Sequence, residues 1–185
     1  MSSMKRPTGL TLVGVTAVLT ALAALGTMVI RVPVPATTGY FNIGDIFVIL
    51  AGLWLGPIGG LTVGALGPTI ADAVGFPVFI PATMITKGLE GLLVGILSGS
   101  LNPSTFRKVF AAAVGGVTIV VGYFVFEAFV YPWLGLYMPA FNITTLGAAI
   151  VEVAPNLVQA IVGAVGGLAL ARAVVGSSSG QGNPQ

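Results

Sequence analysis

The chain has 185 residues, of which 56% are hydrophobic and only 6% charged, with seven Lys and Arg against five Asp and Glu and a net charge of +2. A surface with so few charges is unsuited to water, so we read the chain as an integral, multi-pass membrane protein whose partner is the lipid bilayer, with no nucleic-acid partner. With no Cys and no His, disulfides, thiol nucleophiles, imidazole bases and the usual zinc and haem ligands are missing, and neither a cofactor nor a metal is expected.

About 20 helical residues cross the hydrocarbon core, and on that ruler the apolar runs divide into six helices. The first covers residues 10–30 and exceeds a typical signal-peptide core, so it is expected to remain uncleaved. The region 43–74 is too long for one crossing at about 1.5 Å per residue. It is interrupted by "GPIGG" at 56–60, which predicts a tight helix hairpin with a short first arm and Pro57 opening the third helix. A fourth helix is expected at 82–98, a fifth at 109–130, and a sixth at 146–174, bent near Pro155. No segment alternates apolar and polar residues over the length a membrane barrel needs, so strands are not expected. The Gly- and Ser-rich stretch 176–185 reads as a flexible tail, leaving a single domain at 1–175.

The fold class predicted is therefore an all-α membrane protein, a compact bundle of six transmembrane helices. Lys5, Arg6, Arg107, Lys108 and Arg172 fall on one face of this topology and only Arg31 on the other, which puts both termini in the cytoplasm of a protein of the cell (cytoplasmic) membrane.

All five acids, Asp45, Asp72, Glu90, Glu127 and Glu152, together with Lys87, then map to the outer half of the bundle. Each costs about 2.5–3.5 kcal/mol at mid-bilayer, so they must face one another, water or a ligand. Helical spacing groups them: Thr83, Lys87 and Glu90 form one polar stripe, Tyr123, Glu127 and Tyr131 a second, Glu152, Asn156 and Gln159 a third. A ligand cavity near the outer face accounts for the shared depth. For Lys87 and Glu90, an ion pair at i, i+3 that merely neutralises itself is the competing account. With Tyr40, Asn42 and Asp45 from the start of the second helix and the loop before it, the candidate substrate-binding residues are Tyr40, Asn42, Asp45, Lys87, Glu90, Tyr123, Glu127, Glu152, Asn156 and Gln159.

Aromatic residues Tyr40, Phe41, Phe76, Tyr123, Trp133 and Tyr137 gather towards the same end and could stack on a planar ring, although membrane-interface anchoring is the better account of Trp133 and Tyr137. Small residues mark two further faces. Gly60, Gly64, Gly67 and Ala71 suit internal packing of the third helix, whereas Gly14, Ala17, Ala21 and Ala24 on the first could dock a partner protein.

The stretches "NIGD", "LAGLWLGP", "KGLEGLLVG", "GYFVFEAF" and "VAPNLVQAIVGAVGG", spread over most of the chain, resemble the substrate-binding S components of energy-coupling factor (ECF) vitamin transporters, of the riboflavin or hydroxymethylpyrimidine type. The resemblance implies a six-helix bundle that binds a micronutrient near its outer face beneath a lid formed by residues 31–40. It also implies docking, through Ala17 and Ala21, onto a transmembrane coupling protein served by two ABC-type ATPases. ATP would be hydrolysed by those partners, since this chain has no phosphate-binding GxxxxGK[ST] loop, and the resemblance implies a substrate-binding transporter subunit and not an enzyme.

The excess of acids over Lys87 and Arg31 in the outer half favours a cationic or amine-bearing heterocycle over a free carboxylate or phosphate. A pyridoxine-like or hydroxymethylpyrimidine-like ligand leads, with riboflavin also open; thiamine-type S components use a His that this chain lacks. A solitary secondary transporter or channel would use the same carboxylates as an ion relay, but would call for an internal repeat and a polar path to the inner face. A membrane-embedded enzyme would need a nucleophile with its base, or a metal cage.

Overall fold

The structure, a computed structural model, describes residues 6–34, 39–99 and 104–177. Helix α1 (Gly9–Val29) leads into two short antiparallel strands, β1 (Val32–Val34) and β2 (Gly39–Phe41), and then come α2 (Asp45–Leu55), α3 (Pro57–Gly75) and α4 (Ile80–Ser98). Helix α5 (Thr105–Val125) continues through a π turn (Phe126–Val130) into the single-turn α6 (Tyr131–Gly135), and α7 (Leu146–Ser177) ends the described chain. Five helical segments are long and apolar enough to cross a membrane. The exception, α2, has 11 residues and so spans about 16 Å, roughly half the hydrocarbon thickness.

The predicted α2–α3 hairpin is present with no loop at all. Gly56 alone joins the helices at φ +84°, a conformation natural to glycine, and Pro57 occupies the first turn of α3. The third-helix small residues serve internal packing. A Cβ on Gly91 of α4 would lie 2.1 Å from the Gly60 carbonyl oxygen, and one on Gly67 would lie 2.7 Å from the Ala23 Cβ of α1. Backbones this close let the chain bury its polar side chains without bulky residues holding the helices apart.

The ends of the bundle alternate as the hairpin topology requires. At one end Arg6, before α1, donates to the Gly99 carbonyl at the close of α4 (3.3 Å). At the other, Arg31 donates to Thr27 O of α1 (3.1 Å) and Ala71 O of α3 (2.9 Å), completing the carbonyl ends of two helices at once.

Three local features differ from the sequence reading. The chain does contain strands: Val32, Pro33 and Val34 pair with Phe41, Tyr40 and Gly39 across the arms of the predicted lid. Segments of three residues leave no periodicity to read. The tip of that loop, 35–38, lies outside the described residues, as do Lys5 and positions 178–185 of the predicted tail. The last helix, with Pro155 inside it, continues to Ser177, past the predicted end at 174. The fifth carries a π turn where a regular helix was expected.

Candidate functional site

A cavity opens at the end of the bundle where α3 finishes and α4 and α7 begin. Strand β2 contributes Gly39 and Tyr40, with Asn42 just beyond it; α3 contributes Asp72 from its last turn; the turn before α4 gives Phe79, and α4 gives Thr83. Tyr123 of α5 and Glu127 of the π turn face Glu152, Asn156 and Gln159 of α7 across the same space. The gap amounts to about 310 Å³ with its open end included, but only about 20 Å³ can take the centre of a water molecule, room for about one water. A ligand the size of a vitamin therefore requires the β pair or the lining side chains to move.

The β pair is tied down over this space. The Tyr40 hydroxyl donates to Asp72, the Asn42 amide donates to Gln159 Oε1 (2.8 Å), and Asn42 Oδ1 in turn accepts from the Gly44 amide (2.9 Å). The Tyr40 ring lies 4.6 Å from that of Phe76, and the Arg31 guanidinium sits over both. Burial, reinforced by the Asp72 carboxylate, pushes the Tyr40 hydroxyl well above its ordinary pKa and keeps it a donor. Further in, the hydroxyls of Thr83 and Tyr123 share a hydrogen bond at 3.0 Å.

Seven of the ten candidate residues line the cavity: Tyr40, Asn42, Tyr123, Glu127, Glu152, Asn156 and Gln159. The other three, Asp45, Lys87 and Glu90, do not reach its wall. They are fully buried in the adjacent core, where the Lys87 ammonium donates to Asp45, not to Glu90 three residues further along its own helix. Close backbone packing accounts for this. A Cβ on Gly64 of α3 would fall 2.0 Å from the Lys87 carbonyl oxygen, and one on Gly163 of α7 2.7 Å from the Asp45 Cβ, so both residues are enclosed by neighbouring helices. The contact between the two layers is the Lys87 ammonium, 5.6 Å from the centre of the Tyr123 ring. Both Glu90 carboxylate oxygens lack a hydrogen-bond partner among the described residues.

Tyr131 also departs from its predicted stripe. The π turn adds a residue to the helical repeat, so Glu127 faces the cavity while Tyr131 packs against Phe79 and Phe141, its hydroxyl donating to Val78 O (3.1 Å). Trp133 and Tyr137 pair with each other in exposed positions away from the cavity. Sequence reasoning left out Gly39, Asp72, Phe79 and Thr83. The outer depth of Asp72 and the stripe position of Thr83 were signals for those two, while nothing in the local pattern distinguishes Phe79. Among the described residues no three acidic side chains are grouped to hold a metal ion.

On the flank of the bundle, α1 and α3 border an open apolar groove. Ala17, Ala21 and Ala24 line it, opposite Thr62, Leu66 and Ile70. Gly14 is exposed one turn away with nothing within 4 Å of where its Cβ would be, and Ala24 is the one buried member of the first-helix stripe.

Residues 10–175 match the family described as ECF-type riboflavin transporter, S component. An uncharacterised protein from the gap 3′ region of Pyrococcus woesei is 37% identical over 145 residues, covering 77% of this chain and 88% of that protein.

Proposed function

Because the chain belongs to the family of ECF-type riboflavin transporter S components, substrate-binding membrane subunits of such transporters, we propose that it captures a water-soluble vitamin or vitamin precursor at the outer face of the cell membrane. Residues 1–175 act as one domain with both termini cytoplasmic and six membrane segments, the short α2 completing the count as one arm of the helix hairpin. The ligand enters beneath the β pair and meets Tyr40, Asn42, Tyr123, Glu127, Glu152, Asn156 and Gln159. Asp45, Lys87 and Glu90 support that wall from the core behind it. A pyridoxine-like or hydroxymethylpyrimidine-like ring is the leading ligand, and riboflavin the one to test beside it.

Delivery follows by docking of the first-helix face, Gly14, Ala17, Ala21 and Ala24, on the ECF transmembrane coupling protein. Two ABC-type ATPases attached to that protein hydrolyse the ATP.

The observation that carries this reading is the convergence of three carboxyl groups, Asp72, Glu127 and Glu152, on one narrow cavity beneath a tethered β pair. Buried acids are costly in a membrane interior, and a ligand that uses them accounts for their position. The test is mass spectrometry of the small molecules released when the purified chain is denatured. A B vitamin or precursor in stoichiometric amount supports capture. Uptake into vesicles by the purified chain alone would instead favour a solitary transporter.

A further inference from the structure

We propose that the cavity selects its ligand by charge: it takes a small flat ring that presents N–H donors, as a protonated amine or an amino-substituted heterocycle, and rejects rings bearing phosphate or carboxylate. This rests on the reading of the cavity as a vitamin site and specifies which members of that class it accepts.

The acceptors are already in place. Glu127 Oε2 and Glu152 Oε2 are closed off from solvent and have no hydrogen-bond partner among the described residues, in side chains only 1% and 3% exposed that line the same cavity. They come from the π turn and from α7, which pack against each other. An acceptor buried without a donor is costly. A ligand that brings two donors removes that cost, and one that brings a further anion adds to it.

Among the described residues, neither cation at this end of the bundle is free to offset an anionic ligand. Lys87 is committed to Asp45 behind the wall, and Arg31 to the Thr27 and Ala71 carbonyls and to the faces of Tyr40 and Phe76. The other polar groups of the site largely satisfy one another. Asp72 accepts from Tyr40, Thr83 pairs with Tyr123, and Gln159 Oε1 accepts from the Asn42 amide. What the site holds for an incoming molecule is thus two carboxyl groups, each with a buried oxygen that has no partner among the described residues, beside the rings of Phe79, Tyr40 and Tyr123, a combination suited to a planar donor-bearing ring.

The experiment is calorimetric titration of the full chain with matched probes: 4-amino-5-hydroxymethyl-2-methylpyrimidine against its phosphate monoester, pyridoxamine against 4-pyridoxic acid, and neutral riboflavin. In at least one pair the amine should bind about tenfold or more tightly than its anionic partner. Glu127→Gln and Glu152→Gln should each weaken the amine by about tenfold or more, since the amide puts an N–H donor where an oxygen would accept from the ligand. Both variants are first checked for an unchanged elution profile and melting temperature; if either fails to fold, the comparison of matched probes on the natural chain decides alone. Equal or tighter binding of the anionic members, or binding of riboflavin that neither variant alters, overturns charge selectivity while leaving vitamin capture standing. If no probe of any charge binds, vitamin capture falls, and charge selectivity with it.

Discussion

The Lys87 ammonium of α4 donates to the Asp45 carboxylate in the first turn of α2, and both side chains are wholly shut off from solvent. Asp45 gains as well from its place at the positive end of the α2 dipole. The pair joins α2, the short arm of the hairpin, to the helix that follows the hairpin, and it lies directly behind the cavity wall.

Removing one partner of a buried pair leaves a bare charge, at a cost of about 3–5 kcal/mol, whereas replacing both by apolar groups of similar size is often nearly neutral. Lys87→Met is therefore expected to lower the melting temperature of the detergent-purified chain sharply, and Lys87→Met combined with Asp45→Leu to recover most of the loss. A single variant that melts like the natural chain would show that the pair is not closed.

The Tyr40 hydroxyl ties the β pair to Asp72. Tyr40→Phe removes the donor and leaves the ring in place, for a loss of about 1.5–3 kcal/mol in a hydrogen bond to a charged group. Bound ligand is expected to escape faster, by about tenfold or more, as measured by dissociation under chase, and the ligand-free chain to melt a few degrees lower. An unaltered dissociation rate would mean that Tyr40 does not restrain the lid.

Two glycines should respond in opposite ways to alanine. At Gly91 a methyl group would meet the Gly60 backbone at 2.1 Å, so Gly91→Ala is expected to cost about 1–3 kcal/mol as overpacking. At Gly14 there is nothing within 4 Å, and Gly14→Ala is expected to be neutral or to gain up to about 1 kcal/mol in helix propensity. Thermal melting of the two variants side by side reads the difference.

The α1 groove is expected to matter for docking alone. Ala17→Trp with Ala21→Trp fills it and should abolish co-purification with the coupling protein while leaving ligand affinity within about twofold, since neither residue lines the cavity. Retained co-purification would move the docking face elsewhere.

Much of this arrangement was legible in the residues, and the exceptions have physical causes. Long apolar runs and the "GPIGG" break gave the helices and the loopless turn at Gly56, because membrane-length segments and Gly-Pro punctuation are strong local signals. The helical period grouped Glu152, Asn156 and Gln159 on one face, and the predicted topology set Glu127 at their level; all four line one cavity. That period could not tell that Lys87 turns to Asp45 and not to Glu90, since the choice depends on how closely α3 lets α4 approach at Gly64. Nor could it foresee that a π turn would separate Glu127 from Tyr131. Phe79 and Gly39 reach the cavity only through the folding of a short turn and a short β pair, which leave no repeat in the sequence.

The central claim, that the chain binds a vitamin or precursor in this cavity, is tested most directly by calorimetric titration of the purified full chain against a panel of B vitamins and their precursors. One member is expected to bind at one molecule per chain, and Asn156→Leu, which places an apolar side chain in the cavity wall, should weaken that binding by about tenfold or more. No binding by any member of the panel, or a bound ligand indifferent to Asn156→Leu, would contradict it.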